Sequence, residues 1–163
     1  MLDGGIARWE AEGRPLETKA PAIAPATFTG RLRPGFVVTK DEMRTRDPER
    51  IVLDARAGER YRGESEPIDL RAGHIPGARN APYAGNLTKD AVPVFLSPEA
   101  LRARYAALGA EAKEPIVYCG SGVSACHDLL ALHLAGLRGR LYAGSWSEWS
   151  ADPALPLETG GAG

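Results

Sequence analysis

The chain has 163 residues, a formal net charge of −1 and two cysteines. That length suits one domain of ordinary size with some flanking sequence. The balanced charge argues against nucleic acid as the main partner, because neutralising phosphates needs clustered Lys and Arg. Two cysteines are too few for a disulfide scaffold, so reduced thiols and a cytoplasmic location are expected.

Neither secretion nor membrane insertion is expected from the apolar pattern. No apolar run approaches the roughly 20 residues that a membrane-spanning helix needs. The first five residues, MLDGG, contain neither the basic nor the apolar region of a secretion signal.

A short block near the start of the chain is repeated near its end. Residues 2–9 (LDGGIARW) align with residues 142–149 (YAGSWSEW), and both blocks continue to a Pro-Leu-Glu-Thr tetrapeptide, at 15–18 and 156–159. Each copy is typical of a strand end, a Gly turn, a short helix with a Trp and a Pro exit. The repeat predicts two homologous domains in the parent architecture, with residues 1–13 as the remnant of the first. A chance match of a common turn and helix is the alternative.

The segments between the two copies divide into a linker, a main domain and a tail. Residues 14–35 are rich in Pro, Ala and Thr without hydrophobic periodicity, which predicts an extended linker. The main domain is expected over residues 36–152, and residues 153–163 form the C-terminal tail. It opens with a strand at 36–38, then a helix at 40–46 that Thr39 and Glu42 cap reciprocally.

Further strands and helices alternate along the main domain. Ser97 and Pro98 are typical of a helix start, and Gly109 ends that helix after Leu108. The remaining apolar runs predict a strand at 51–53, a strand at 115–118, a helix at 124–135 and a strand at 141–142. This alternation predicts an α/β fold with an open, mainly parallel sheet flanked by helices.

The chemistry is expected in a glycine-rich loop between a buried strand and a helix. The loop consists of Cys119, Gly120, Ser121, Gly122, Val123 and Ser124. Ligands of open α/β sheets bind at this end of the strands. The glycines allow inward-pointing amides, and the helix adds its positive dipole end. A cysteine in this field is expected to react as a thiolate, attack a sulfane sulfur and carry the persulfide. A buried, inert cysteine is the alternative.

Five motifs together resemble a known family. Besides the loop they are VLDAR at 52–56, RYRG at 60–63, GHIPGA at 73–78 and GSW at 144–146. Over residues 36–149 the chain resembles the C-terminal, catalytic half of tandem-domain thiosulfate and 3-mercaptopyruvate sulfurtransferases of the rhodanese superfamily. The block at 2–9 resembles the end of the other half. The loop resembles the mercaptopyruvate type more closely, because the thiosulfate type carries Arg-Lys where this chain has Gly120-Ser121.

The resemblance implies a rhodanese-like fold and a sulfurtransferase that needs neither cofactor nor metal. A small anionic donor, 3-mercaptopyruvate or thiosulfate, would pass sulfur through a persulfide on Cys119 to a thiol, a thioredoxin-like protein or cyanide. Arg60 matches the arginine that holds the donor. Where mercaptopyruvate enzymes have a second arginine this chain has Ile68-Asp69, with Arg71 close by, which leaves the donor open.

Four other residues have alternative roles. Ser121 could hydrogen-bond the donor or simply form the loop. Asp54 is expected to support the loop, because it ends a neighbouring buried strand. His74 is expected to be structural, in a Gly-His-Ile-Pro-Gly turn. Cys126 is expected to be buried, with a resolving thiol as the minority hypothesis.

Two other function classes remain as alternatives. Cysteine phosphatases use Cys-x5-Arg, whose arginine stabilises the transition state, but the residue six after Cys119 is Ala125. A non-catalytic rhodanese-like module for binding or regulation is the second alternative. The cysteine argues against that module, and the missing partner half argues for it.

Overall fold

The computed structural model describes residues 2–31 and 34–161, and its centre is a five-stranded sheet. The strand order is β1-β5-β4-β2-β3, and every pairing between these strands is parallel. The strands are β1 (Val37–Val38), β2 (Val52–Asp54), β3 (Arg79–Asn80), β4 (Ile116–Tyr118) and β5 (Arg140–Tyr142). The parallel sheet confirms the α/β fold that the alternating elements predict.

Helices flank the sheet. They are α1 (Gly5–Ala11), α2 (Lys40–Arg44), α3 (Gly58–Tyr61), a 3-10 helix (Tyr83–Asn86), α4 (Pro98–Ala107), α5 (Val123–Leu134) and α6 (Ser145–Ala151). One core cluster contains Met43 of α2 and Trp146 and Trp149 of α6, and a second contains Leu101 of α4 and Leu132 of α5. Burial on both faces explains the continuous apolar runs of the central strands. Among the described residues, no helix is long and apolar enough to span a bilayer.

The capping signals of the sequence are confirmed at two helices. The Thr39 side chain accepts a hydrogen bond from the Glu42 amide, and Glu42 accepts one from the Thr39 amide, so the capping box is complete. The helix α2 ends at Arg44, two residues earlier than expected. The Ser97 side chain accepts from the Ala100 amide, with proline in the first turn of α4. The elements α3, β3 and the 3-10 helix were not predicted from the sequence, and each is four residues long or shorter.

The repeated blocks share a helix of the same length and an equivalent tryptophan hydrogen bond. The helices α1 and α6 are both seven residues long. The Trp9 indole N–H donates to the Pro15 carbonyl at 2.9 Å, and the Trp149 indole N–H donates to the Pro156 carbonyl at 2.8 Å. Their surroundings differ, because Trp149 is in the core while no residue of α1 is buried. The N-terminal block contacts the main domain at Asp3, whose carboxylate accepts from the Phe95 amide.

The described part of the C-terminal tail is bonded to the main domain. Glu158 and His74 form an antiparallel bridge, with backbone hydrogen bonds of 2.8 and 3.0 Å. The Gly160 amide donates to the Arg62 carbonyl at 2.8 Å. These contacts fix both flanks of the segment 63–73, which follows α3.

Candidate functional site

A cavity of about 260 Å³ lies at the carboxyl end of β4, and Cys119 is in its wall. Ser121 and Ser124 of the same loop also line it. Side chains from other elements complete the wall; they are Arg56, Arg60, Ile68, Asp69, Tyr83 and Ser147. A larger cavity of about 470 Å³ lies at the end of the linker and includes neither cysteine. The smaller cavity is therefore the candidate site.

The backbone around Cys119 places an amide against its sulfur. The Gly122 N–H donates to the Cys119 Sγ, with 3.1 Å between nitrogen and sulfur. Gly122 adopts φ +86° as the residue that precedes α5, and a Cβ there would lie 2.9 Å from the Ala143 carbonyl oxygen. Only glycine avoids both the strain and the clash. The first turn of α5 therefore begins directly beside the Cys119 sulfur, and Cys119 as a whole residue is only 3% exposed.

Ser145 holds the loop from behind. Its hydroxyl accepts a hydrogen bond from the Cys119 amide at 3.2 Å and donates to the Tyr142 carbonyl at 2.9 Å. It is completely buried, and its φ of +55° is unusual for a residue other than glycine. Such strain persists where the surroundings determine the conformation. The Trp146 amide donates to the Cys119 carbonyl at 2.9 Å, so α6 and the loop are locked together.

Arg60 lies in the cavity wall, but two carboxylates already bind it. Its Nη2 is 2.6 Å from the Glu66 Oε1 and 3.2 Å from the Asp69 Oδ2. Burial opposes the ionisation of Glu66, yet hydrogen bonds from Arg60 and from the Asp69 and Ile68 amides hold its pKa below the ordinary value. Glu66 is thus a charged partner that fixes Arg60 in place. A donor at Arg60 would have to share this cation with both carboxylates.

Arg56 is a buried arginine that the sequence analysis did not assign. Its Nη2 is 2.6 Å from the Asp54 Oδ2, and its Nη1 is 3.2 Å from the Glu66 Oε2. The guanidinium lies over the Trp146 ring, 4.7 Å from the centroid. Asp54 therefore holds Arg56, and through it the cavity wall, rather than bonding to the cysteine loop directly. The sequence signal that could have identified Arg56 is its place in the Asp-Ala-Arg motif at 54–56.

The two remaining charged candidates have structural contacts away from the cavity. The Arg71 guanidinium donates to the carbonyls that end α6, including those of Trp149 and Asp152. The His74 ring is buried, stacks on Tyr61 at 3.8 Å between centroids, and places its Nδ1 2.7 Å from the Tyr61 carbonyl oxygen.

The expectation that Cys126 is buried is wrong, because Cys126 is exposed. The buried face of α5 contains Ala125, Asp128, Ala131 and Leu132. Cys126 lies one position around the helix from Ala125 and so points out of this face. It does not line the cavity that contains Cys119.

A buried polar network joins α5 to the 3-10 helix that carries Tyr83. The Asn86 Nδ2 donates to the Asp128 Oδ1 at 2.7 Å, and the Tyr105 hydroxyl donates to the Asn86 Oδ1 at 3.0 Å. The other carboxyl oxygen, Asp128 Oδ2, is buried without a hydrogen-bond partner among the described residues. Burial raises the pKa of Asp128 to about 7, although the hydrogen bond from Asn86 opposes this. The carboxyl is therefore protonated in slightly acidic solution.

The Asp128 carboxyl is expected to make stability fall as pH rises. Its pKa is about 7 in the folded chain against an ordinary value of 3.8, so the folded state retains a proton that the unfolded state releases. Its contribution to the free energy of unfolding should fall by about 2 kcal/mol between about pH 5 and pH 7 and level off above that range. Asp128→Asn, which carries no charge, should flatten this slope and be the more stable protein at alkaline pH.

Urea denaturation of the parent and the variant across this pH range measures the effect. Asp90→Asn is the matched control, because Asp90 is exposed, and it should retain the parent slope. Equal slopes for the parent and Asp128→Asn would show that Asp128 does not titrate as inferred.

Comparison with known proteins gives a family and several relatives. Residues 39–152 match the family described as Rhodanese-like domain. A Pseudomonas aeruginosa protein named as a probable 3-mercaptopyruvate sulfurtransferase is 47% identical over 165 residues, which cover 98% of this chain and 57% of that protein. The chain spans about half the length of the curated relatives it matches.

Solved structures show the same fold. The 3-mercaptopyruvate sulfurtransferase from Leishmania major matches with a TM-score of 0.75 and 32% identity over 91% of this chain and 42% of that one. A structure of EanB with ergothioneine covalently linked with a cysteine persulfide matches with a TM-score of 0.86 and 25% identity. That match covers 99% of this chain and 41% of the other.

Proposed function

Because the chain belongs to the rhodanese-like domain family, we propose that it is a sulfurtransferase whose Cys119 carries the transferred sulfur. The observation that carries the proposal is the Cys119 Sγ in the cavity wall, 3.1 Å from the Gly122 amide nitrogen at the start of α5. An amide and a helix N-terminus favour negative charge at this sulfur. The names of the relatives, which include 3-mercaptopyruvate and thiosulfate sulfurtransferases, support the same activity.

The proposed reaction has two steps. In the first, the Cys119 thiolate attacks the transferable sulfur of the donor, and the new S–S bond forms as the bond between that sulfur and the rest of the donor breaks. The electron pair of the broken bond leaves with that remainder, as sulfite from thiosulfate or as the enolate of pyruvate from 3-mercaptopyruvate, and the enolate takes up the proton of the donor thiol. The Gly122 amide and the dipole of α5 stabilise the resulting persulfide anion. In the second, a thiol or cyanide attacks the outer sulfur and releases the Cys119 thiolate. The protein returns to its starting state without a cofactor.

We favour 3-mercaptopyruvate over thiosulfate among the donors named for relatives. Thiosulfate carries two negative charges, and the residues after Cys119 are Gly120 and Ser121 rather than cations. Arg60 is the more exposed of the two arginines in the cavity wall, at 18% against 2% for Arg56, and it is shared with Glu66 and Asp69. The Ser121 hydroxyl lines the same cavity and could hydrogen-bond the donor.

One experiment tests the proposed function. Steady-state turnover is measured with 3-mercaptopyruvate and with thiosulfate, using cyanide and a dithiol as acceptors. Mass spectrometry of the donor-treated protein should then find one added sulfur atom on the peptide that contains Cys119. The absence of both turnover and adduct would contradict the proposal and favour a non-catalytic rhodanese-like binding module.

Replacing Arg60 with alanine should weaken the use of an anionic donor. Charge-assisted hydrogen bonds are worth about 1.5–3 kcal/mol. Their loss corresponds to a roughly ten- to hundredfold drop in kcat/KM, expressed mainly in KM. Initial rates over a range of donor concentrations measure the change.

Arg62→Ala is the matched control for Arg60→Ala. Arg62 closes the same short helix, but it pairs with Glu64 at the surface and does not line the cavity. It should retain the parent KM. An unchanged KM in Arg60→Ala would mean that Arg60 does not contact the donor.

We also propose that residues 1–13 are the closing element of a preceding rhodanese-like half. The equal lengths of α1 and α6 and the equivalent Trp9 and Trp149 hydrogen bonds support this assignment. Apolar side chains around the cavity are also unusually exposed: Ile68 by 74% and Val123 by 76%. Exposed apolar patches commonly mark interaction surfaces, and such a half would cover this one.

A further inference from the structure

The charged side chains around the candidate site include more carboxylates than arginines, which is unusual for a site that binds only anions. Arg56 and Arg60 supply two cations, and Asp54, Glu66 and Asp69 oppose them with three carboxylates. Asp54 and Glu66 have side chains that are 0% and 3% exposed, and they lie behind the cavity wall as partners of the two arginines. The remaining carboxylate, Asp69, is a surplus negative charge in the cavity wall that also contains Cys119.

Asp69 has the position and the free hydrogen-bonding capacity to bind a ligand. It lines the same cavity as Cys119, Arg60 and Ser121, and its side chain is 8% exposed. Among the residues that the structure describes, Arg60 is the one donor bonded to its carboxylate, at 3.2 Å. Glu66 differs, because its oxygens already accept from Arg56, Arg60 and two backbone amides.

An ionised carboxylate accepts several hydrogen bonds. The side of Asp69 that faces the cavity is therefore suited to a cationic donor group.

We propose that Asp69 is a specificity-determining residue that selects amino-acid persulfides, which carry an ammonium group beside their carboxylate, over wholly anionic sulfur donors. Arg60 and Asp69 present opposite charges side by side. An α-amino acid carries its carboxylate and its ammonium on one carbon, so the two groups can bind Arg60 and Asp69 together. This inference rests on the proposed function, because it takes Cys119 as the sulfur acceptor.

The transfer from such a donor is balanced without an oxidant. The Cys119 thiolate attacks the outer sulfur of the donor, R–S–SH. The Cys119 S–S bond forms while the S–S bond of the donor breaks, and its electron pair leaves with the inner sulfur as R–S⁻. The hydrogen stays on the transferred sulfur, so the products are the Cys119 persulfide and the amino-acid thiolate.

A matched pair of donors isolates the contribution of the ammonium group. The persulfides of L-cysteine and of 3-mercaptopropionate share the carboxylate and the sulfur chain and differ in the ammonium group. The rate of sulfur transfer to Cys119, followed by mass spectrometry, should be at least about tenfold higher with the cysteine persulfide, as a charge-assisted hydrogen bond in a partly buried site provides. Asp69→Asn should bring the ratio of the two rates close to one and should speed transfer from thiosulfate.

Glu64→Gln is the control, because it removes one negative charge from the same segment. Glu64 pairs with Arg62 at the surface and is absent from the cavity wall, so the variant should retain the parent ratio. Equal rates with both persulfides in the parent, or an unchanged ratio in Asp69→Asn, would overturn the inference.

Slower thiosulfate transfer in Asp69→Asn would also overturn the inference, because it would make Asp69 merely a support for Arg60. Sulfur transfer to Cys119 from every donor without preference refutes the selectivity and leaves the proposed function intact. No adduct on Cys119 from any donor refutes both.

Discussion

Replacing Cys119 with serine is expected to abolish sulfur transfer. Among the residues that the structure describes, Cys119 is the one cysteine in the cavity wall, and the serine hydroxyl that replaces its thiol cannot form a persulfide. Turnover with either donor should fall to the rate at which donor and acceptor react without the protein. Mass spectrometry of the donor-treated variant should find no added sulfur.

Cys126→Ser provides the matched control, since Cys126 is exposed on α5 and does not contribute to the cavity wall. It should retain most of the activity and the adduct on Cys119. An equal loss of activity in both variants would instead indicate a dithiol mechanism. A sulfur adduct confined to Cys126 would show that the nucleophile has been assigned to the wrong cysteine.

Arg56→Met should cause the largest loss of stability among the changes considered. The variant leaves Asp54, whose side chain is 0% exposed, without its cation and weakens the surroundings of Glu66. It also removes a hydrogen bond to the Gly73 carbonyl at 2.7 Å. Breaking a buried ion pair by removing one partner costs about 3–5 kcal/mol. Urea denaturation at neutral pH measures the difference.

Arg102→Met removes an arginine of an exposed pair and serves as the control. Arg102 pairs with Glu111 at the surface, where both side chains are about half exposed. Such pairs contribute about 0–1 kcal/mol. If Arg56→Met is no more destabilising than Arg102→Met, the Arg56 cluster does not stabilise the fold as its burial implies.

Four of the five strands and two helix caps of the main domain could be predicted because their signals are local. Val52 and Leu53 lie in a short apolar run, and Thr39 and Glu42 form a capping box within four residues. The signal for the loop at 119–124 is local in part, since the backbone of Gly122 itself requires glycine, whereas the Ala143 carbonyl that a Cβ there would meet is distant in the sequence. Ser145, which bonds to this loop, belongs to the GSW motif at 144–146, but the motif alone does not indicate that contact.

The rest of the site depends on contacts that no local pattern encodes. Arg60 meets Glu66 and Asp69 because the segment after α3 folds back, and this segment has no helical or strand period. Arg56 has a charge that would ordinarily place it at the surface.

The exposure of Cys126 could not be predicted for a different reason. Apolar residues occur on more than one side of α5, including Leu134, which is 40% exposed. The sequence of α5 therefore leaves its buried face ambiguous.

The bonded C-terminal tail has a consequence for the order in which the protein folds. The segment with Glu66 and Asp69 is held at its flanks by Glu158 and Gly160, and the Gly77–Glu158 contact joins residues 81 apart in sequence. Contacts between distant residues form slowly, because the chain must first lose the entropy of closing a long loop. We therefore expect the wall of the candidate-site cavity to be completed only after residues 158–160 have been synthesised. A nascent chain that already contains Cys119 would then still lack the finished wall.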